Sequence, residues 1–195
     1  MDTGDSKKNE KKKGKPEKSS GKWAVQVFFI AVVLSAVLSF ASDSALDGAG
    51  VAVAIVVLLA FILLGIFFDI VGVAVTAADE KPFHSMAAHK TPGAKEALGL
   101  IRKADKVSSM CNDVVGDICG IISGSTAAVI VTQVQGAFGL SSMAAMAVSL
   151  LVTALASGLT IGGKALGKSF AMARSTAVLQ LVGRFLHLFS RKKKR

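Results

Sequence analysis

Residues 49–78 read AGVAVAIVVLLAFILLGIFFDIVGVAVTAA, an apolar run with a single charge at Asp69. A helix needs about 20 apolar residues to cross the ~30 Å hydrocarbon of a bilayer. This run exceeds that, which predicts a span near 50–78 that tilts or protrudes. Working outward, Trp23 to Phe40 carries no charge and predicts a span near 23–41, with Trp23 placed as an interfacial anchor. Ile118 to Gly163 is also uncharged and is broken only at Gly136-Ala137-Phe138-Gly139-Leu140-Ser141-Ser142. That block predicts two further spans, near 113–135 and 141–162, joined by a tight turn. The expected fold class is all-α, a polytopic membrane helical bundle of four spans with juxtamembrane helices. The composition agrees. Of 195 residues 52% are hydrophobic and the mean hydropathy is +0.57, too apolar for a soluble domain that must cover a polar surface.

The formal net charge is +10, from 23 Lys and Arg against 13 Asp and Glu. In a soluble chain such an excess points to nucleic acid, but its distribution here argues for none. The first 22 residues hold eight Lys, and the chain ends Arg191-Lys192-Lys193-Lys194-Arg195. Lys81, Lys90, Lys95, Arg102, Lys103 and Lys106 lie between the second and third spans, and Lys164, Lys168, Arg174 and Arg184 follow the fourth. The two other loops have no Lys or Arg, and the first of them holds Asp43 and Asp47. The positive-inside rule then predicts a multi-pass plasma-membrane protein with both termini and the 79–106 loop cytoplasmic. A rival reading takes the basic start, the apolar 24–38 stretch and Ser39-Phe40-Ala41 as a leader. Cleavage of residues 1–41 would leave three spans.

Three regions follow. Residues 1–22 are expected to be a disordered Lys-rich tail, residues 23–162 the transmembrane domain with its loop at 79–106, and residues 163–195 a basic juxtamembrane helix and tail. In the loop, Pro82 can start a short helix, Pro92-Gly93 should break it, and a second helix is expected from Ala94 to about Lys106. Ala165 to Ser190 reads as an amphipathic helix. Its apolar side is Leu166, Phe170, Val178, Leu181, Val182, Phe185 and Leu188, flanked by Lys168, Arg174 and Arg184. Such a helix lies in the membrane interface or packs beneath the spans, and the basic tails favour anionic lipids.

The acids left among the apolar segments are the candidate site. A carboxylate in hydrocarbon costs several kcal/mol unless it faces a cavity, a partner or a cation. Asp69 interrupts the second span, and Asp113 and Asp117, four apart, share a helix face behind Asn112. Carboxylate and amide oxygens suit Mg²⁺, which keeps several waters. One reading is therefore a cation site of Asp69, Asn112, Asp113 and Asp117, joined by Thr76. The other has Asn112 to Asp117 cap the helix or pair with Lys103 and Lys106.

Gly116, Gly120 and Gly124 form a small-residue ridge on the third span, and Ala145, Ser149, Thr153 and Ser157 form another on the fourth. Such ridges let helices approach closely, within one chain, in a homodimer or against a partner subunit. Cys111 and Cys119 are eight apart on one helix, too far for a disulfide, and read as packing residues. Gly162 to Ser169 matches GxxxxGK[ST], yet no strand precedes it to aim amides at a phosphate. His84, His89 and His187 are scattered, and no nucleophile, base and orienting group come together, so no enzyme or resident cofactor is expected.

The stretch from about Leu64 to Ser190 resembles the transmembrane domain of the cyclin-M/CorC magnesium transporters. Phe67-Phe68 with Ala74-Val75-Thr76-Ala77 resembles the family's FFSGxExALxS, and Asn112-Asp113-Val114-Val115 resembles its GNNLV. Gly163-Lys164-Ala165-Leu166-Gly167-Lys168-Ser169-Phe170-Ala171 resembles GEhhPKxhA. The resemblance implies a dimeric transmembrane domain of three spans, a juxtamembrane helical segment, and a cation held by Ser and Asn side chains and main-chain oxygens. It does not extend to the family's CBS-pair regulatory domain. Carried over, Asp69 takes the Ser position and Asn112 the first Asn, while Gly72 and Lys164 stand where the family has Glu. The implied function is divalent-cation transport or binding, with Mg²⁺ as the ion moved. A non-transporting accessory protein that assembles through its small-residue ridges is the alternative.

Overall fold

The computed structural model describes residues 20–192, which are helical with no strand among them. The long elements are α1 (Ser20–Leu46), α2 (Val51–Ala77), α6 (Gly116–Phe138) and α7 (Ser142–Ala173). Between α2 and α6 lie α3 (Glu80–Ala88), α4 (Ala94–Ile101) and α5 (Ala104–Ser109), and α8 (Ser175–Lys192) closes the described chain. A π-helical segment, Met110–Val115, joins α5 to α6 without a break. The four apolar stretches long enough to span are Gly21–Leu46, Val51–Ala77, Ala104–Phe138 and Ser142–Ala173. This is the architecture of a multi-pass membrane protein. The expected tail over 1–22 falls outside the described residues up to residue 19, and α1 begins at Ser20. The end of the expected C-terminal tail, past residue 192, lies outside them too.

Helix α2 is the hub. It packs along both α6 and α7, and its last turns also meet α5 and α8. Close approach is built on glycine. A Cβ on Gly65 would lie 3.2 Å from Cys119 Cβ on α6. On α7, a Cβ on Gly163 would strike the Ile66 side chain, and one on Gly167 would lie 2.8 Å from Ile70 Cγ1. Small residues let backbones meet where lipid gives no hydrophobic drive between helices. One core joins Ala54, Leu58 and Ile62 to Ala127, Ile130 and Ala156. Another sets Val114, Ile118 and Ile122 against Val27, Ala31, Leu34 and Leu38 of α1. Buried hydroxyls are satisfied within α6, Ser123 donating to the Cys119 carbonyl and Thr126 to that of Ile122. Large apolar side chains such as Phe28, Val33, Leu63, Phe67 and Leu150 point outward, as lipid-facing surfaces do.

A third core lies at the end of the bundle where the short helices gather, with Val71, Val75, Phe83, Leu98, Cys111 and Leu179 buried together. Helix α8 is fixed there by a backbone crossing in which Gly93 meets Gly183. His187 Nδ1 donates to Glu96 Oε1 at 2.8 Å across the same seam.

Some expected boundaries shift. The helix expected over Ala94 to Lys106 is two helices, because α4 lies against α8 whereas α5 continues into the third span, with the turn at Arg102-Lys103. The amphipathic helix begins at Ser175 rather than Ala165. The fourth span runs on through Gly162-Gly163 to Ala173 because Gly163 and Gly167 seat against α2 instead of breaking the helix. The break expected at 136–142 narrows to a turn in which Gly139 takes φ +58°, the region glycine favours, and Ser141 caps α7.

Candidate cation site

Asp69 is 3% exposed and sits on the buried side of α2. Its Oδ2 has no hydrogen-bond donor. Gly72, three residues on, shares that helix face. There the Asn112 amide lies against the backbone, where a Cβ on Gly72 would run into Asn112 Oδ1 and sit 2.8 Å from its Cγ. Asn112 is carried by the π-helical segment, whose extra residue per turn is a form that concentrates at functional sites. Its Nδ2 donates to Ser108 Oγ at 3.3 Å, and its Oδ1 is buried without a donor. Two buried acceptor oxygens therefore lie along α2, one on Asp69 and one held against Gly72, neither satisfied by a protein hydrogen.

The nearest cation belongs to the chain. Lys168 Nζ of α7 lies 3.8 Å from Asp69 Oδ2, inside ion-pair range but beyond a hydrogen bond. The Lys168 side chain is 51% exposed. One turn earlier, Lys164 sends its ammonium to within 3.5 Å of where a Gly116 Cβ would stand. It makes no hydrogen bond or ion pair among the described residues.

The remaining residues of the expected site are elsewhere. Thr76 is exposed and donates to its own helix at Val73 O, 2.9 Å away. Asp113 and Asp117 are exposed on the opposite side from their buried neighbours Val114 and Ile118. Asp113 accepts from Ser109 Oγ at 2.7 Å, and neither acid pairs with Lys103 or Lys106 among the described residues. The structure brings Asp69 and Asn112 to one helix face and leaves the other three outside. No group of three or more His, Cys, Asp and Glu able to hold a metal occurs among the described residues.

Sequence reasoning missed the two lysines of α7. They are its only charges and stand four apart, which marks one face, but they read as basic flank because the uncharged block ends just before them. Gly72, which by the resemblance stands in place of an acid, is the seat for Asn112. The GxxxxGK[ST] match lies inside α7, so its amides are spent on helix hydrogen bonds. Cys111 and Cys119 are buried and free, as their spacing implies.

The small-residue ridges are used unevenly. Gly116 is buried in the bundle, but Gly120 and Gly124 have nothing within 4 Å. With Thr153, Ser157 and Thr160 they line a cavity of about 280 Å³ between α6 and α7. No known protein family, curated protein or solved structure matches the chain.

Proposed function

We propose that the chain is a plasma-membrane protein, with both termini cytoplasmic, that binds a cation at Asp69 and Asn112 and moves it across the bilayer. The observation that carries this reading is the pair of buried acceptor oxygens, Asp69 Oδ2 and Asn112 Oδ1, left without donors. Buried polar atoms are nearly always paired, and an acceptor that is not calls for a water or a cation. Mg²⁺ suits a site with few side-chain oxygens, since it keeps several waters and takes one or two direct ligands. Movement would come from alternating exposure of the site between α2, the π-helical segment and α7. The resemblance to the cyclin-M/CorC domain supports the same assignment at Asn112. Thr76, Asp113 and Asp117 are not direct ligands in this reading.

A second reading is a non-transporting accessory protein. It draws on the Asp69–Lys168 pair, which ties α2 to α7, and on the open α6–α7 groove, where a second copy or a partner helix would seat. The test is Mg²⁺ flux in proteoliposomes for wild type, Asp69→Asn, Asn112→Ala and Asp113→Ala. Wild type and Asp113→Ala are expected to exceed empty vesicles, with Asp69→Asn and Asn112→Ala at the empty level. All four at the empty level would support the accessory reading.

A further inference from the structure

We propose that Lys168 is a tethered competitor at this site, its ammonium neutralising Asp69 until an entering cation displaces it. The inference rests on the cation reading above and names what controls that site.

The geometry of the pair is the starting point. At 3.8 Å, Lys168 Nζ offsets the Asp69 charge without donating a hydrogen bond to Oδ2. A permanent buried ion pair is held by close, hydrogen-bonded geometry, which is what offsets the cost of desolvating both charges. Here one partner is buried and the other is half exposed. Lysine is a compact charge on a four-carbon stem with free rotation, so it can leave without moving the helix that carries it. The α7 backbone beside it is fixed, because Gly167 is pressed on Ile70 and Gly163 on Ile66. Exchange at Asp69 then needs a change of side-chain rotamer and no helix displacement.

Charge gives the direction. The groups that face this region are Asp69 from α2, the neutral Asn112 amide from the π-helical segment, and Lys164 and Lys168 from α7. With the acid ionised they sum to one positive charge. A divalent cation added to that set meets repulsion from both ammoniums. Withdrawal of Lys168 from the carboxylate relieves the larger part and frees Oδ2 at the same moment. Occupancy by the ammonium and by the ion is mutually exclusive, so the measured affinity is the intrinsic affinity reduced by the fraction of time the carboxylate is free.

The experiment uses the full chain in lipid nanodiscs, titrated with MgCl₂ and followed by isothermal titration calorimetry. The variants are Lys168→Gln, Lys168→Met, Lys168→Arg and Asp69→Asn, with the uncharged pair run together so that one assembling variant suffices. If the ammonium holds the carboxylate nine-tenths of the time, its removal tightens Mg²⁺ binding about tenfold. Lys168→Arg keeps the competitor and should bind as wild type, and Asp69→Asn should not bind. Binding by Lys168→Gln where wild type shows none also supports the proposal. Wild-type binding with equal or weaker binding in both uncharged variants overturns the role of Lys168 and leaves the cation site standing. No binding in wild type or in either uncharged variant overturns both.

Discussion

Replacing Gly93 by Ala should undock α8, while the same change at Gly99, six residues on, should do the reverse. Gly93 has φ +88°, where an L side chain costs about 1–2 kcal/mol. An added Cβ there would lie 2.5 Å from the Gly183 carbonyl carbon and 2.7 Å from Arg184 Cα. Those are backbone atoms and cannot rotate aside, so α8 must move off α4. Displacement exposes Leu179, the fully buried side chain on the inner face of α8, together with parts of its neighbours Val178 and Val182. One leucine side chain alone is worth about 1.5–3 kcal/mol. The two terms sum to about 2.5–5 kcal/mol, or at least about sixtyfold in the docking equilibrium. Gly99 is exposed within α4 with nothing within 4 Å of a Cβ, so Ala there should stabilise by about 0.5–1 kcal/mol. Hydrogen exchange by mass spectrometry in nanodiscs reads both. The α8 amides of Gly93→Ala should lose protection while those of α2 and α6 keep theirs, and Gly99→Ala should match or exceed wild type. Wild-type protection of α8 in Gly93→Ala would refute the backbone-crossing argument.

Phe83 is fully buried in the same core, and Phe83→Ala should cost about 3–5 kcal/mol, seen as loss of protection through α3, α4 and α8 together. Burial pushes the Glu96 carboxyl up, but the His187 hydrogen bond, its own backbone amide and the charges of His187 and Lys95 leave it below its usual 4.5. Its contribution to α8 docking is therefore complete above that value and lost as pH falls through the lower folded one. A Glu96→Gln variant should lose this acid dependence when α8 protection is measured from pH 7 to pH 3. Gly72→Ala should push the Asn112 amide off α2 at about 1–3 kcal/mol, lowering the thermal midpoint in detergent and, on the transport reading, reducing Mg²⁺ flux.

The four spans were legible because the largest driving force, transfer of apolar side chains out of water, is written directly in uncharged blocks. Their ends were not. Gly162-Gly163 looks like a helix break by composition, yet helix α7 passes through it because Ile66 and Ile70 lie where the missing side chains would be. Asp69 was legible as the outlier in the most apolar run of the chain. Its neighbour Lys168 was not, since nothing in local spacing reveals which lysine a distant helix will deliver. The four-residue interval of Asp113 and Asp117 placed them correctly on one face, but periodicity does not say whether that face turns inward. Here it turns out, because Val114, Ile118 and Ile122 supply the side that α1 covers.

The third span is one continuous rod from Ala104 to Phe138, and the π-helical segment is the only place in it where the winding departs from 3.6 residues per turn. That irregularity holds one residue of slack. Because a π turn takes up one more residue than an ordinary turn, deleting a residue between Asn112 and Gly116 would restore an ordinary winding and leave the helix on either side facing as before. The span would remain whole and still able to cross a bilayer, while the widened turn that carries Asn112 to Gly72 was lost. Folding and insertion tolerate such a deletion, but the seat of Asn112 does not, so the integrity of the span and the site it carries are separable properties of this segment.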